Sequence, residues 1–198
     1  MQNDLVRQGY NQVAQTYLAR RDRLKSGKYV QKLLKLLPKK SIVLDLGCGA
    51  GVPVDDLLIK AGHEVIGIDI SEEQIKLARA NCPRGQYLVG DIQNLVEREY
   101  QVQAIVSFYT IFHVSRTKQG EVLKTLASFL PHDGLLLLTM GDRAFEGTHQ
   151  LYDTTMWSSQ YGTRENTALV EAAGFAILLN ETDTSGGERH QVILAKKQ

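Results

Sequence analysis

VLDLGCGAGVP, Val43 to Pro53, is the stretch whose reading decides the fold. An apolar run of strand length enters a glycine cluster, Gly47, Gly49 and Gly51, and an amphipathic pattern starts at Val54. Strand, glycine turn and helix in that order open a nucleotide-binding βαβ unit, in which backbone approaches a ligand and a helix N-terminus faces it. The spacing is GxGxG, with Val52 standing where the dinucleotide fingerprint has its third glycine or alanine.

Asp45, two residues ahead of the first glycine, sets the electrostatic sign. A carboxylate about 5 Å from a pyrophosphate repels it by roughly 3 kcal/mol per charge pair at an effective dielectric near 20, about two decades of affinity. A ligand with an ammonium and a carboxylate but no phosphate reverses that sign. Asp45 would accept from the ammonium, and free N–H groups of the turn would receive the carboxylate. S-adenosylmethionine has such a head group, joined to adenosine.

Outward from this turn, strand patterns fall at 42–46, 64–68, 86–89, 104–108, 135–139, 176–180 and 191–195, with helical patterns at 54–61, 72–81, 118–129 and 164–173. Strands alternating with helices predict a doubly wound, mostly parallel sheet covered on both faces. The early strands are nearly continuous apolar runs, as burial on both faces requires. Only Thr184-Ser185-Gly186-Gly187-Glu188 joins the last two strands, too short for a crossover, so the last strand is expected to run antiparallel. Residues 141–161 break the alternation with no strong period and many aromatics, and read as an irregular lid or pocket wall. The domain division expected is a helical cap at 1–40 and a single catalytic domain at 41–198.

The other two strand tips repeat the acid. Asp69 ends VIGIDIS about 20 residues past the glycine turn, where a carboxylate accepts from both ribose hydroxyls and repels a 2′-phosphate. Asp91 ends YLVGDIQ, suited to an adenine amino group, with the Ile92 backbone beside a ring nitrogen. Three acids on successive tips favour a cationic nucleoside.

With these residues in hand, the segment from Ile42 to about Thr139 resembles the core of the class I S-adenosylmethionine-dependent methyltransferases. VLDLGCGAG, VIGIDIS, VGDI and AIVSFYTIFHV match its ordered motifs. The resemblance implies a seven-stranded sheet of order 3-2-1-4-5-7-6 and S-adenosylmethionine as cofactor. It also implies cofactor contacts within those motifs at Asp45, Gly47, Cys48, Gly49, Asp69, Ile70, Asp91, Ile92 and Phe108. YNQVAQTYLARR resembles the cap helix of small-molecule members, which makes Tyr10 and Tyr17 residues that close over the methionine end.

Methyl transfer from a sulfonium needs alignment more than acid–base help, and a base matters only for an acceptor that must lose a proton. His113, just beyond the fourth strand, is the candidate base, or else a wall residue. Tyr109, Arg143, Met156 and Trp157 are the expected acceptor pocket. Arg143 suits an anionic substrate, with a surface salt bridge as its alternative.

The chain has 198 residues and a net charge of +1, fitting one domain. No apolar run approaches a membrane span and no N-terminal h-region appears, so a soluble, cytoplasmic protein is expected. Cys48 and Cys82 lack the spacing of a zinc site, and no metal is expected. Before Ser41, ten basic residues face only Asp4 and Asp22. This invites a nucleic-acid methyltransferase as a rival, although helical wet faces account for it and 107–110 lacks the Asn/Asp-Pro-Pro-aromatic tetrad of base-amine methylation. An NAD-dependent oxidoreductase is the weaker rival, and a protein that only binds the cofactor is a third. The partner expected is a small-molecule acceptor.

Overall fold

Parallel pairing of the apolar runs builds a seven-stranded sheet, ordered β3-β2-β1-β4-β5-β9-β8. The computed structural model describes residues 2–20, 26–185 and 189–198. Its strands are β1 (Ile42–Leu46), β2 (Glu64–Asp69), β3 (Gln86–Val89), β4 (Ala104–Ser107), β5 (Leu135–Gly141), β8 (Phe175–Asp183) and β9 (His190–Lys197). Only β9 runs against the rest, antiparallel to both β5 and β8. Once the separate hairpin described below is set aside, this is the expected order and sense. Gly186, Gly187 and Glu188 of the last connection lie outside the described residues, as do Arg21, Asp22, Arg23 and Lys25 of the basic segment.

The helices are α1 (Gln2–Arg20), α2 (Gly27–Leu34), α3 (Val54–Lys60), α4 (Glu72–Asn81), α5 (Arg116–Phe129) and α6 (Thr163–Ala172). Strand parity divides the core. Leu44, Leu46, Ile105 and Leu136 meet Leu123 and Leu126 of α5 and Val170 of α6, while Val43, Val65 and Val106 meet Leu33 of α2, Leu58 of α3 and Ile75 of α4. Ser71 caps α4 by accepting from the Gln74 N–H at 3.1 Å. The reciprocal half of a capping box is absent, since the Gln74 side chain makes no hydrogen bond among the described residues.

Two expectations change. Residues 141–161 are not irregular: β6 (Phe145–Leu151) and β7 (Thr154–Gln160) form a two-stranded antiparallel hairpin. Its alternation was hidden because β6 is largely exposed while four consecutive β7 residues, Met156 to Ser159, are buried on both faces. The helical cap of 1–40 also divides. α1 lies across the carboxyl end of the sheet between α4 and β7, whereas α2 joins the helical layer with Tyr29, Val30 and Leu33 buried. α1 approaches β7 closely because Gly9 has no side chain; a Cβ there would stand 2.6 Å from the Met156 sulfur.

Among the described residues no helix is long and apolar enough to cross a membrane. Lys28 pairs with Asp183 at 3.0 Å and Lys32 with Glu181 at 3.6 Å. Part of the basic stretch is therefore balanced by β8.

Candidate functional site

In an open parallel sheet the strand order reverses between β1 and β4, and the crevice at their carboxyl ends is where such folds bind ligands. A narrow slot of about 60 Å³ lies there. It is lined from the sheet by Gly47, Gly49, Asp69, Ile70, Asp91, Ile92 and Phe108, and from α1 by Asn3, Val6, Tyr10 and Tyr17. Every expected cofactor contact is thus on this slot except Asp45 and Cys48.

Those two stand behind its wall. Asp45 is 2% exposed and shares the strand face of Val43, which turns toward the α2–α3–α4 layer. Cys48 packs in that layer, where burial pushes its thiol well up, reinforced by the negative charges of Asp55, Asp69 and Asp45. The sign inferred from Asp45 survives by another route. Asp69 and Asp91 are charged residues facing the slot, and among the described residues no lysine or arginine lines it.

The glycine turn is locked from within. Gly47 and Cys48 N–H groups donate to the Ile68 carbonyl at 2.7 and 3.1 Å, Gly51 N–H to the Cys48 carbonyl at 3.0 Å, and Gly49 N–H to the Asp69 carboxylate at 2.9 Å. These groups are therefore not the free donors expected for a ligand carboxylate. Asp69 also accepts from Ser71 N–H at 2.8 Å, so it ties the turn to the start of α4. Gly47 is required at its position: φ is +72°, and a Cβ would lie 1.8 Å from the Thr110 hydroxyl.

α1 is clipped onto this frame. Asn3 donates to Asp91, which also accepts from Gln93 N–H at 2.9 Å. Asn11 joins the cap of α4, accepting from the Ser71 hydroxyl at 2.6 Å and donating to Glu72 at 2.7 Å. Arg7 pairs with Glu72 as well, and Arg7 and Asn11 together hold that carboxyl at about 2. Sequence reasoning missed Gln74, whose side chain lines the slot at 1% exposure with both amide ends unpartnered among the described residues. Its signal was present, a polar residue on the buried face of an amphipathic helix.

A second, wider cavity of about 340 Å³ adjoins the slot. Tyr10, Tyr17, Tyr109 and His113 line both. Tyr109 has φ +60°, an uncommon conformation for a large residue, with its N–H donated to the Thr139 hydroxyl at 2.6 Å. His113 is held at both ring nitrogens. Nδ1 lies 2.7 Å from the Trp157 carbonyl, which only accepts, so Nδ1 carries a proton. Burial pushes the imidazolium down to about 4, against the opposing pull of that carbonyl. The neutral ring's Nε2 therefore accepts from the Tyr10 hydroxyl at 3.0 Å.

Of the expected acceptor-pocket residues, Tyr109 and Arg143 line this second cavity, while Met156 and Trp157 do not. Met156 faces Gly9 of α1. Trp157 projects from the other face of β7 and contributes its carbonyl. The cavity wall comes instead from Phe112, Phe145, His149, Leu151, Ser158, Gln160 and His190. Spacing by two along the hairpin, 145-149-151 and 158-160, would have found most of them.

A family profile described as a methyltransferase domain matches residues 43–134. The chain is 31% identical over 134 residues to the tRNA (carboxymethyluridine(34)-5-O)-methyltransferase of Arabidopsis thaliana, covering 67% of this chain and 32% of that protein. To the trans-aconitate 2-methyltransferase of Variovorax paradoxus it is 27% identical over 150 residues, covering 72% and 57%. The magnesium protoporphyrin IX methyltransferase of Synechocystis, solved with bound SAH, superposes with a TM-score of 0.79 at 16% identity, covering 100% of both chains. The chain spans between about a third and three-fifths of the length of those two curated relatives. Residues 43–134 thus carry a methyltransferase domain, on the fold that S-adenosylmethionine-dependent methyltransferases share.

Proposed function

We propose that this protein uses S-adenosylmethionine to methylate a small molecule held in the second cavity. The observation carrying the reading is the slot's electrostatics: two strand-tip carboxylates, Asp69 and Asp91, with no lysine or arginine on its lining among the described residues. A diphosphate would be repelled there, and a sulfonium nucleoside with its ammonium is attracted. The buried, unpartnered amide of Gln74 fits the same group, since a buried polar side chain without a partner costs about 1–3 kcal/mol until one arrives. Asp69 would hold ribose hydroxyls, Asp91 and the Ile92 backbone the adenine, and Ile70 and Phe108 its apolar faces.

When bound, S-adenosylmethionine supplies a methyl group already activated on sulfur. The chain's contribution is alignment. Tyr10, Tyr17, Tyr109 and His113 border both compartments, so they would fix the line of approach and exclude water. Orientation of this kind is worth on the order of 7–11 kcal/mol of barrier. His113 acts here as a positioning group: its Nδ1 proton is committed to Trp157, and its basicity is too low to draw a proton from a phenol or alcohol. α1 serves as the cap, and residues 41–198 with α2 as the catalytic body.

The RNA reading keeps one support, the similarity to a tRNA methyltransferase. Against it, Lys28 and Lys32 are engaged by Asp183 and Glu181 rather than free to follow a phosphate backbone. Thermal denaturation tests the cofactor: S-adenosylhomocysteine at about 100 times its dissociation constant should stabilise by about 2.7 kcal/mol. Stabilisation by NAD in its place would refute the proposal. Salt-sensitive binding of unmodified tRNA would overturn the small-molecule acceptor.

A further inference from the structure

We infer that the second cavity takes a flat, ring-bearing carboxylic acid, held with its carboxylate on Arg143 and its ring between aromatic walls. The inference rests on the methyl-transfer reading above and adds the class of acceptor. Three features of the cavity carry it.

The first is charge. Arg143 lines the cavity, and among the described residues no aspartate or glutamate does so. The adjacent acid, Asp142, is taken by Arg189 at 2.8 Å. Glu146 lies on the opposite face of β6, where it accepts from the Ser159 hydroxyl at 2.7 Å and pairs with Arg116 at 3.3 Å. Among the described residues Arg143 has no ion pair. A guanidinium presented to a cavity whose described lining carries no acid selects an anion, and its planar fork matches a carboxylate.

The second is shape. The His190 ring stacks on Phe112 with centroids 5.5 Å apart and planes 15° from parallel, and meets Tyr109 edge-on at 4.9 Å. Phe145 closes the hairpin side. Flat aromatic walls favour a flat apolar body, and about 340 Å³ is the size range of a small-ligand pocket.

The third is position. Arg143 lines the second cavity and not the slot, whereas Tyr10, Tyr17, Tyr109 and His113 line both. The carboxylate is thus a handle away from the transfer point, and the atom that receives the methyl group lies at the other end of the ring. Arg143 is the one lysine or arginine among the described lining residues, so a monoanion is matched charge for charge.

Calorimetric titration of the full chain, with and without saturating S-adenosylhomocysteine, tests this with benzoic, cinnamic and naphthoic acids beside their primary amides. Wild type should bind at least one acid about 10- to 100-fold more tightly than its isosteric amide, the range of a hydrogen-bonded charge pair. Arg143→Gln should bring acid and amide to parity, and Arg143→Lys should restore part of the preference, with the S-adenosylhomocysteine affinity of both variants unchanged. Equal binding of acids and amides by wild type, an acid preference that survives Arg143→Gln, or no binding of any acid overturns the inference. Failure of S-adenosylhomocysteine to bind wild type would instead overturn the cofactor reading, and the acid–amide comparison without it would still stand on its own.

Discussion

Replacing His113 by Gln should remove a specific part of the protein's acid sensitivity. In the folded chain burial holds the imidazole at about 4, against 6.5 in the unfolded chain. Between those values the unfolded state binds more protons, so stability is complete above pH 6.5 and falls as the pH drops through the window. Below about pH 4 it is flat again, because both states are charged. The difference, 6.5 − 4, at about 1.36 kcal/mol per pH unit amounts to about 3 kcal/mol, which the ring's partial exposure trims to about 2. His149 and His63 are also lowered by burial and remain in the variant, so it keeps a shallower slope of the same sign. Carboxylates such as Glu72, held at about 2, lose their contribution only at lower pH. Urea unfolding followed by the fluorescence of the one tryptophan, Trp157, provides the measurement at pH 7 and 4.5. The stability lost by wild type over that interval should exceed the loss in His113→Gln by about 2 kcal/mol. Losses equal within about 0.5 kcal/mol would refute an imidazole kept neutral by its surroundings in the folded chain.

Gly47→Ala should destabilise by about 2–5 kcal/mol: about 1–2 from the left-handed backbone and about 1–3 from overlap with Thr110. In urea unfolding, Thr110→Gly should recover the overlap part in the double variant, and additive losses would contradict the geometry. Gln74→Met replaces an unpartnered buried amide with an apolar chain of similar length, so folding stability in urea should hold or rise by about 1 kcal/mol. The same variant should bind S-adenosylhomocysteine about 10-fold more weakly by calorimetry; undiminished affinity would remove Gln74 from the binding site.

Much of the fold was legible because its signals are local. Apolar runs of strand length, the helical period between them and the glycine turn at Gly47 to Gly51 are written in neighbouring residues, and they recur at the intended elements. The tips carrying Asp69 and Asp91 could be read in the same way, since each acid closes its own strand. Even the hairpin residue set 145-149-151 follows a local period of two, but β6 is too exposed and β7 too evenly buried for hydrophobicity to reveal it.

By itself the sequence determined a doubly wound sheet with a negatively charged crevice, because backbone conformation and the order of strand and helix depend on short-range patterning. Only the tertiary structure decided that Asp45 turns into the helical layer while Asp69 and Asp91 face the slot, that Met156 meets Gly9, and that His113 is held between Tyr10 and Trp157. Residues 103 and 44 positions apart along the chain meet at that histidine. Contacts of this kind are fixed by how α1 and the hairpin dock on the end of the sheet, and docking depends on the shape of two assembled surfaces, which no periodicity in one segment specifies.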